Sequence, residues 1–193
     1  MRDLQRLEAF SDGVMAVIIT IMAFNLRPPA APTASALEER LPSLLVYVLS
    51  FAFIGIYWNN HHHLLRSASR TSGLVMWSNL LLLFWLSLTP VLTAWMAAQY
   101  REALPVAAYG VVALLAGAAY NLLVRALIRA NGADSPLARA VARDVKGIAS
   151  LVLYSLGVLG AFLTPWIAYA LFVAVALMWF IPEPRLAPRA RPH

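Results

Sequence analysis

The chain has 193 residues, of which 61% are hydrophobic and only 12% charged, and its mean hydropathy is +0.70. A soluble domain carries about 25% charged residues, so this composition argues against one and for a multi-span membrane protein. The net charge of +6 does not point to nucleic acid, because the basic residues sit between apolar blocks, and the lack of cysteine excludes disulfides and thiol chemistry.

A spanning helix needs about 20 mostly apolar residues. Six segments qualify as candidates. The first is Phe10–Leu26, with a possible backward extension through Leu7; Pro28, Pro29 and Pro32 then enforce a loop. The second is Pro42–Asn60, the third Gly73–Ala98 with a kink expected at Pro90, and the fourth Leu104–Leu127. Asn131-Gly132 and Ser135-Pro136 punctuate the longest internal connection, where a short amphipathic helix is expected around Leu137–Val145. The fifth and sixth segments, Gly147–Leu163 and Pro165–Ile181, are split only by the Thr164-Pro165 step. The expected fold is therefore an all-α integral membrane protein, with residues 1–181 as one six-helix domain and 182–193 as a disordered Pro/Arg-rich tail.

Basic residues orient the chain. With the N-terminus inside, twelve of the fifteen Lys and Arg fall on inner segments, leaving Arg27, Arg40 and Arg101 outside. This asymmetry predicts a multi-pass protein of the cell membrane with both termini cytoplasmic. No span carries a row of charges, so a polar path, if there is one, forms between subunits.

The first segment holds the most informative run, Arg6-Leu7-Glu8-Ala9-Phe10-Ser11-Asp12-Gly13-Val14. An aspartate at the edge of hydrocarbon is costly and reads as functional or firmly paired. The simpler alternative is a helix cap, with Ser11 and Asp12 accepting from free backbone N–H groups. Further along, Val17, Thr20, Ile21 and Phe24 share one helical face. They suit either a pore wall of apolar rings with one hydroxyl ring, or ordinary helix packing with Thr20 bonded to its own backbone.

The second segment ends in Trp58-Asn59-Asn60-His61-His62-His63. Successive helical residues are about 100° apart, so three adjacent histidines cannot converge on one ion. One histidine is expected to face inward to a carboxylate, with His61 within reach of Asp12 or Ser11 and Trp58 offering an indole donor. Asn79 in the third segment is expected to bond between helices. Gly157 and Gly160 suggest close packing of the fifth.

These residues carry a resemblance. Arg6…Phe10-Ser11-Asp12-Gly13-Val14…Ala16…Ile19-Thr20 resembles the R-x-x-x-F-S-D-G-V-x-A-I-x-I-T signature of the transmembrane protein 175 family of potassium-permeable channels. Trp58…His61…Leu64 and Trp77-Ser78-Asn79-Leu80-Leu81-Leu82-Leu83…Pro90 resemble a second family pattern. The matches cover residues 6–90; the last three spans match in hydropathy alone. The resemblance implies a bacterial plasma-membrane homotetramer of six-span subunits passing K⁺ and other monovalent cations, with no cofactor, no metal and no enzymatic activity. It implies that the first helix lines the pore through Val17, Thr20, Ile21 and Phe24. Arg6, Phe10, Ser11, Asp12, Trp58 and His61 would form the network that orients it.

Two departures stand out. Val17 is smaller than the isoleucine or leucine expected at the constriction, and Asn25 replaces a glutamate expected near the outer mouth. No T-V-G-Y-G filter is present, so K⁺ over Na⁺ selectivity should be modest. A secondary transporter or a structural membrane protein are the alternatives; the internal repeats and midplane charges of the former are missing from the sequence.

Overall fold

The computed structural model describes residues 2–141 and 145–180. The tail assigned to 182–193 lies outside these residues, as does the end of the connection at 142–144. The described residues are helical throughout apart from turns and loops. In order they form α1 (Arg2–Phe24), α2 (Ala34–Glu38), α3 (Leu41–Arg66), α4 (Gly73–Ser87), α5 (Thr89–Ala98), α6 (Ala103–Asn131), α7 (Pro136–Val141), α8 (Val145–Ala161) and α9 (Pro165–Phe180).

Among the described residues, four helical stretches are long and apolar enough to cross a membrane: Asp3–Phe24, Ala34–Arg66, Gly73–Ala98 and Ala103–Asn131. Of the other two apolar helices, α8 and α9, 17 and 16 residues are described.

Two helices run further than hydropathy indicates. α1 begins at Arg2, a full two turns before Phe10, because Leu4 and Leu7 continue the buried stripe of Ser11, Met15, Ile18 and Met22. Steps of three and four keep that stripe on one face. α3 continues through the histidine run to Arg66. The kink expected at Pro90 is a break at Leu88: α4 ends, and Pro90 enters the first turn of α5, where its missing N–H costs nothing.

α1 packs on α3, α4 and α5, while the α8–α9 hairpin packs on α6 and, through α9, on α3. Glycines allow the hairpin to close. A Cβ on Gly157 of α8 would lie 2.6 Å from the Phe172 ring of α9, and one on Gly110 of α6 would lie 2.7 Å from the same ring. Phe172 is consequently buried among Tyr109 and Tyr154, with ring centroids 5.8 and 5.7 Å away. A Cβ on Gly160 would meet Ile167 at 2.6 Å.

Asn131, the last residue of α6, holds the α3–α4 loop. Its Oδ1 accepts from the backbone N–H of Ser69 and Arg70 at 2.8 and 2.9 Å; its Nδ2 donates to the carbonyls of Leu127 and Arg70 at 2.8 and 3.1 Å. Gly132 follows at φ 97°, a left-handed value that ends the helix and suits glycine.

Candidate pore helix and its anchors

The buried face of α1 is tied to its neighbours at two levels. At the first, Ser11 Oγ donates to the carbonyl of Leu7 at 2.8 Å and accepts from Asn79 Nδ2 at 2.9 Å. Asn79 Oδ1 in turn pairs with His61 Nε2 at 2.7 Å. An amide oxygen only accepts, so His61 Nε2 carries the proton, and the chain runs His61 to Asn79 to Ser11 to backbone. All three side chains are buried.

Beside this buried chain, α1 and α3 pair in antiparallel register. Trp58 Nε1 donates to Asp12 Oδ1 at 3.0 Å. One turn away on both helices, His62 Nδ1 meets Glu8 Oε1 at 2.8 Å. The Trp58 and His62 rings stack at 6.0 Å and 22°, and Arg66 Nη1 lies 3.4 Å from His62 Nε2. Because arginine only donates, His62 Nε2 accepts and its Nδ1–H points to Glu8.

The second level lies ten residues on. Met22 Sδ is 3.7 Å from Thr93 Oγ1 of α5, which donates to Ser50 Oγ of α3 at 2.8 Å; Ser50 donates onward to the carbonyl of Val46 at 2.9 Å.

These anchors correct three sequence expectations. Ser11 and Asp12 do not cap a helix: α1 starts nine residues earlier, so no free N–H groups remain at their level. The inward histidine, His61, meets an amide and not a carboxylate; the carboxylate partner belongs to half-buried His62. His61 also does not reach Ser11 or Asp12 itself, because Asn79 stands between it and Ser11. The three histidines diverge as helical spacing dictates, His63 being exposed. Asn79 does bond between helices, as expected. Glu8 and His62 escaped notice; the signal was the i, i+4 spacing of Glu8 with Asp12 matching that of Trp58 with His62.

Arg6 and Phe10 are exposed, and Arg6 makes no hydrogen bond or ion pair among the described residues. The opposite face of α1 is exposed and apolar: Val17 is 56% exposed, Ile21 45% and Phe24 83%. Thr20 lies among them, its Oγ1 donating to the carbonyl of Ala16 at 2.8 Å. These four residues do not pack inside the subunit; Met15, Ile18 and Met22 do. With its proton directed to the backbone, the Thr20 oxygen keeps lone pairs for a cation.

The chain is similar to known channels over its whole length. A potassium channel of Chryseobacterium sp. (strain P1-3) is 43% identical over 181 residues, 94% of each chain. A profile described as the endosomal/lysosomal potassium channel TMEM175 matches residues 6–90. The chain belongs to the TMEM175 family. A potassium channel of Streptomyces collinus is 33% identical over 88% of this chain and 84% of its own. The human endosomal/lysosomal proton channel TMEM175 is 32% identical over 115 residues, 52% of this chain and 23% of its own. The fold matches the crystal structure of a lysosomal potassium-selective channel TMEM175 homolog from Chamaesiphon minutus. The TM-score is 0.79 at 24% identity, covering 97% of this chain and 100% of that one. With its long apolar helices, this family member is a multi-pass membrane protein.

Proposed function

We propose that this chain is the subunit of a passive potassium-permeable cation channel. It assembles as a symmetric homotetramer of six-helix subunits, residues 1–181, with α1 of each around a central axis. One observation carries this reading: α1 is bonded along one face and leaves Val17, Thr20, Ile21 and Phe24 exposed on the other. A pore helix needs that division, since the protein must hold it without using the residues that face the ions. The similarity to potassium channels of Chryseobacterium and Streptomyces collinus supports the same function.

In this assembly Val17, Ile21 and Phe24 supply apolar rings, which resist water-borne ions by dewetting. Thr20 supplies four hydroxyl oxygens between them, which replace part of the hydration shell of K⁺. Selectivity over Na⁺ is modest because no ring of backbone carbonyls lines the path. No cofactor takes part, and the chain is not an enzyme. Asp12 acts through Trp58, holding α1 against α3, and is not an ion ligand. Exposed Arg6 and Phe10 face the neighbouring subunit. Both termini lie in the cytoplasm of a bacterial cell, with the chain in the plasma membrane.

Purified protein in a planar bilayer tests this. Unitary currents with a reversal potential favouring K⁺ over Na⁺ are expected. A correctly assembled oligomer that passes no current would refute the channel and leave a structural membrane protein.

A further inference from the structure

The C-terminal end of α1 borders a cavity of about 490 Å³ between α1, α3 and α5. Phe24, Asn25, Arg27, Arg40, Ser43 and Tyr47 are among its lining residues, and no carboxylate is. Arg27 follows α1 and is exposed; Arg40 precedes α3 and is partly buried. Glu38 and Glu39 stand next to Arg40 in sequence, but neither pairs with either arginine among the described residues. Two guanidinium groups thus share a cavity without a counter-charge. A partly buried cation without an anion is costly.

We propose that this cavity binds a phosphate group, held by Arg27 and Arg40. The planar fork of arginine matches a phosphate with two parallel N–H donors, and the hydroxyls of Ser43 and Tyr47 and the amide of Asn25 are further donors on the same wall. The phosphate bridges the segment after α1 to the start of α3, two elements that proline-rich loop residues otherwise leave loosely joined. Its source is the headgroup of an anionic phospholipid or free phosphate, which present the same oxygens. This site is independent of whether the chain conducts ions.

Purified oligomer is transferred to detergent doped with phosphatidylglycerol, or given inorganic phosphate, and bound ligand is counted by native mass spectrometry alongside the thermal midpoint. The parent is expected to retain one of them, and R27Q/R40Q to retain about tenfold less or below, since each guanidinium contributes charge-assisted hydrogen bonds. R27K/R40K should fall between, having charge without the fork. Retention of phosphatidylglycerol that phosphate does not displace supports the lipid source; retention of phosphate alone supports the soluble one. Equal retention by the parent and R27Q/R40Q, or retention of neither ligand, overturns the proposal. R27Q alone, on an exposed loop position, carries the same comparison if the double variant does not assemble.

Discussion

Asp12 and Trp58 are 46 positions apart in sequence and meet through one hydrogen bond, 3.0 Å from indole nitrogen to carboxylate oxygen. The bond joins the conspicuous aspartate of α1 to α3, next to the buried His61–Asn79–Ser11 chain. The acid and its donor are both at the edge of the bundle, whereas the amide chain runs inside it.

The two parts should respond differently to substitution. His61→Ala leaves Asn79 Oδ1 buried without a donor, which costs about 1–3 kcal/mol, plus a cavity term. Trp58→Phe removes only the more exposed bond and should cost less, about 1 kcal/mol. Thermal midpoints and oligomer yield in mild detergent measure both. Equal losses would mean that the buried chain holds α1 no more firmly than its exposed neighbour.

Asn131→Ala removes four hydrogen bonds at once and frees the α3–α4 loop from α6. The loop is exposed, so water replaces part of the loss, and about 1–3 kcal/mol of destabilisation is expected. Protease cleavage between Ser67 and Ser72 should accelerate. Unchanged cleavage would show that the loop is held by other means.

Gly157→Ala places a methyl group 2.6 Å from the Phe172 ring. Overpacking of this kind costs about 1–3 kcal/mol. The double variant Gly157→Ala/Phe172→Leu should recover part of it, because the smaller side chain vacates the contested space. A fully stable single variant would disprove the tight α8–α9 contact.

Thr20→Ala tests the pore face. If four Thr20 oxygens replace ion hydration, the K⁺ to Na⁺ permeability ratio falls, while Phe24→Ala or Val17→Ala raises current by weakening an apolar ring. Bi-ionic reversal potentials read the ratio. An unaltered ratio in Thr20→Ala, with normal expression, removes Thr20 from the ion path.

Much of this was legible in the chain itself. The helical segments follow from hydropathy and proline placement, and the break near Pro90 and the step at Thr164-Pro165 fell where the sequence put them. That Val17, Thr20, Ile21 and Phe24 share one face of α1 was readable from their 0, 3, 4, 7 spacing. What spacing cannot tell is which apolar face meets neighbours: Val17, Ile21 and Phe24 look like core until Met15, Ile18 and Met22 are seen to fill that role. The start of α1 was hidden because a polar first turn lowers hydropathy without breaking a helix. Asn79 as the link between Ser11 and His61 needs the third helix in place, and one-dimensional spacing carries no such information. The arginine pair 27 and 40 is separated by a proline-rich loop and becomes a pair only in space.

The anchors of α1 have a mechanical consequence. Directional bonds fix the helix at Ser11–Asp12; about 15 Å further on, at 1.5 Å per residue, Met22 Sδ only packs against Thr93 Oγ1, whose proton goes to Ser50. Between them Val14, Met15, Ile18 and Ile19 pack on the bundle through apolar contact, which is non-directional. The helix is a beam bonded at the Ser11–Asp12 level and held by packing beyond it. Side-chain volume behind the packed stretch sets how the helix bows: if α1 lines the pore, Met15→Ala should change conductance without loosening the bonds at Ser11–Asp12, and an unchanged conductance would show the beam to be stiff.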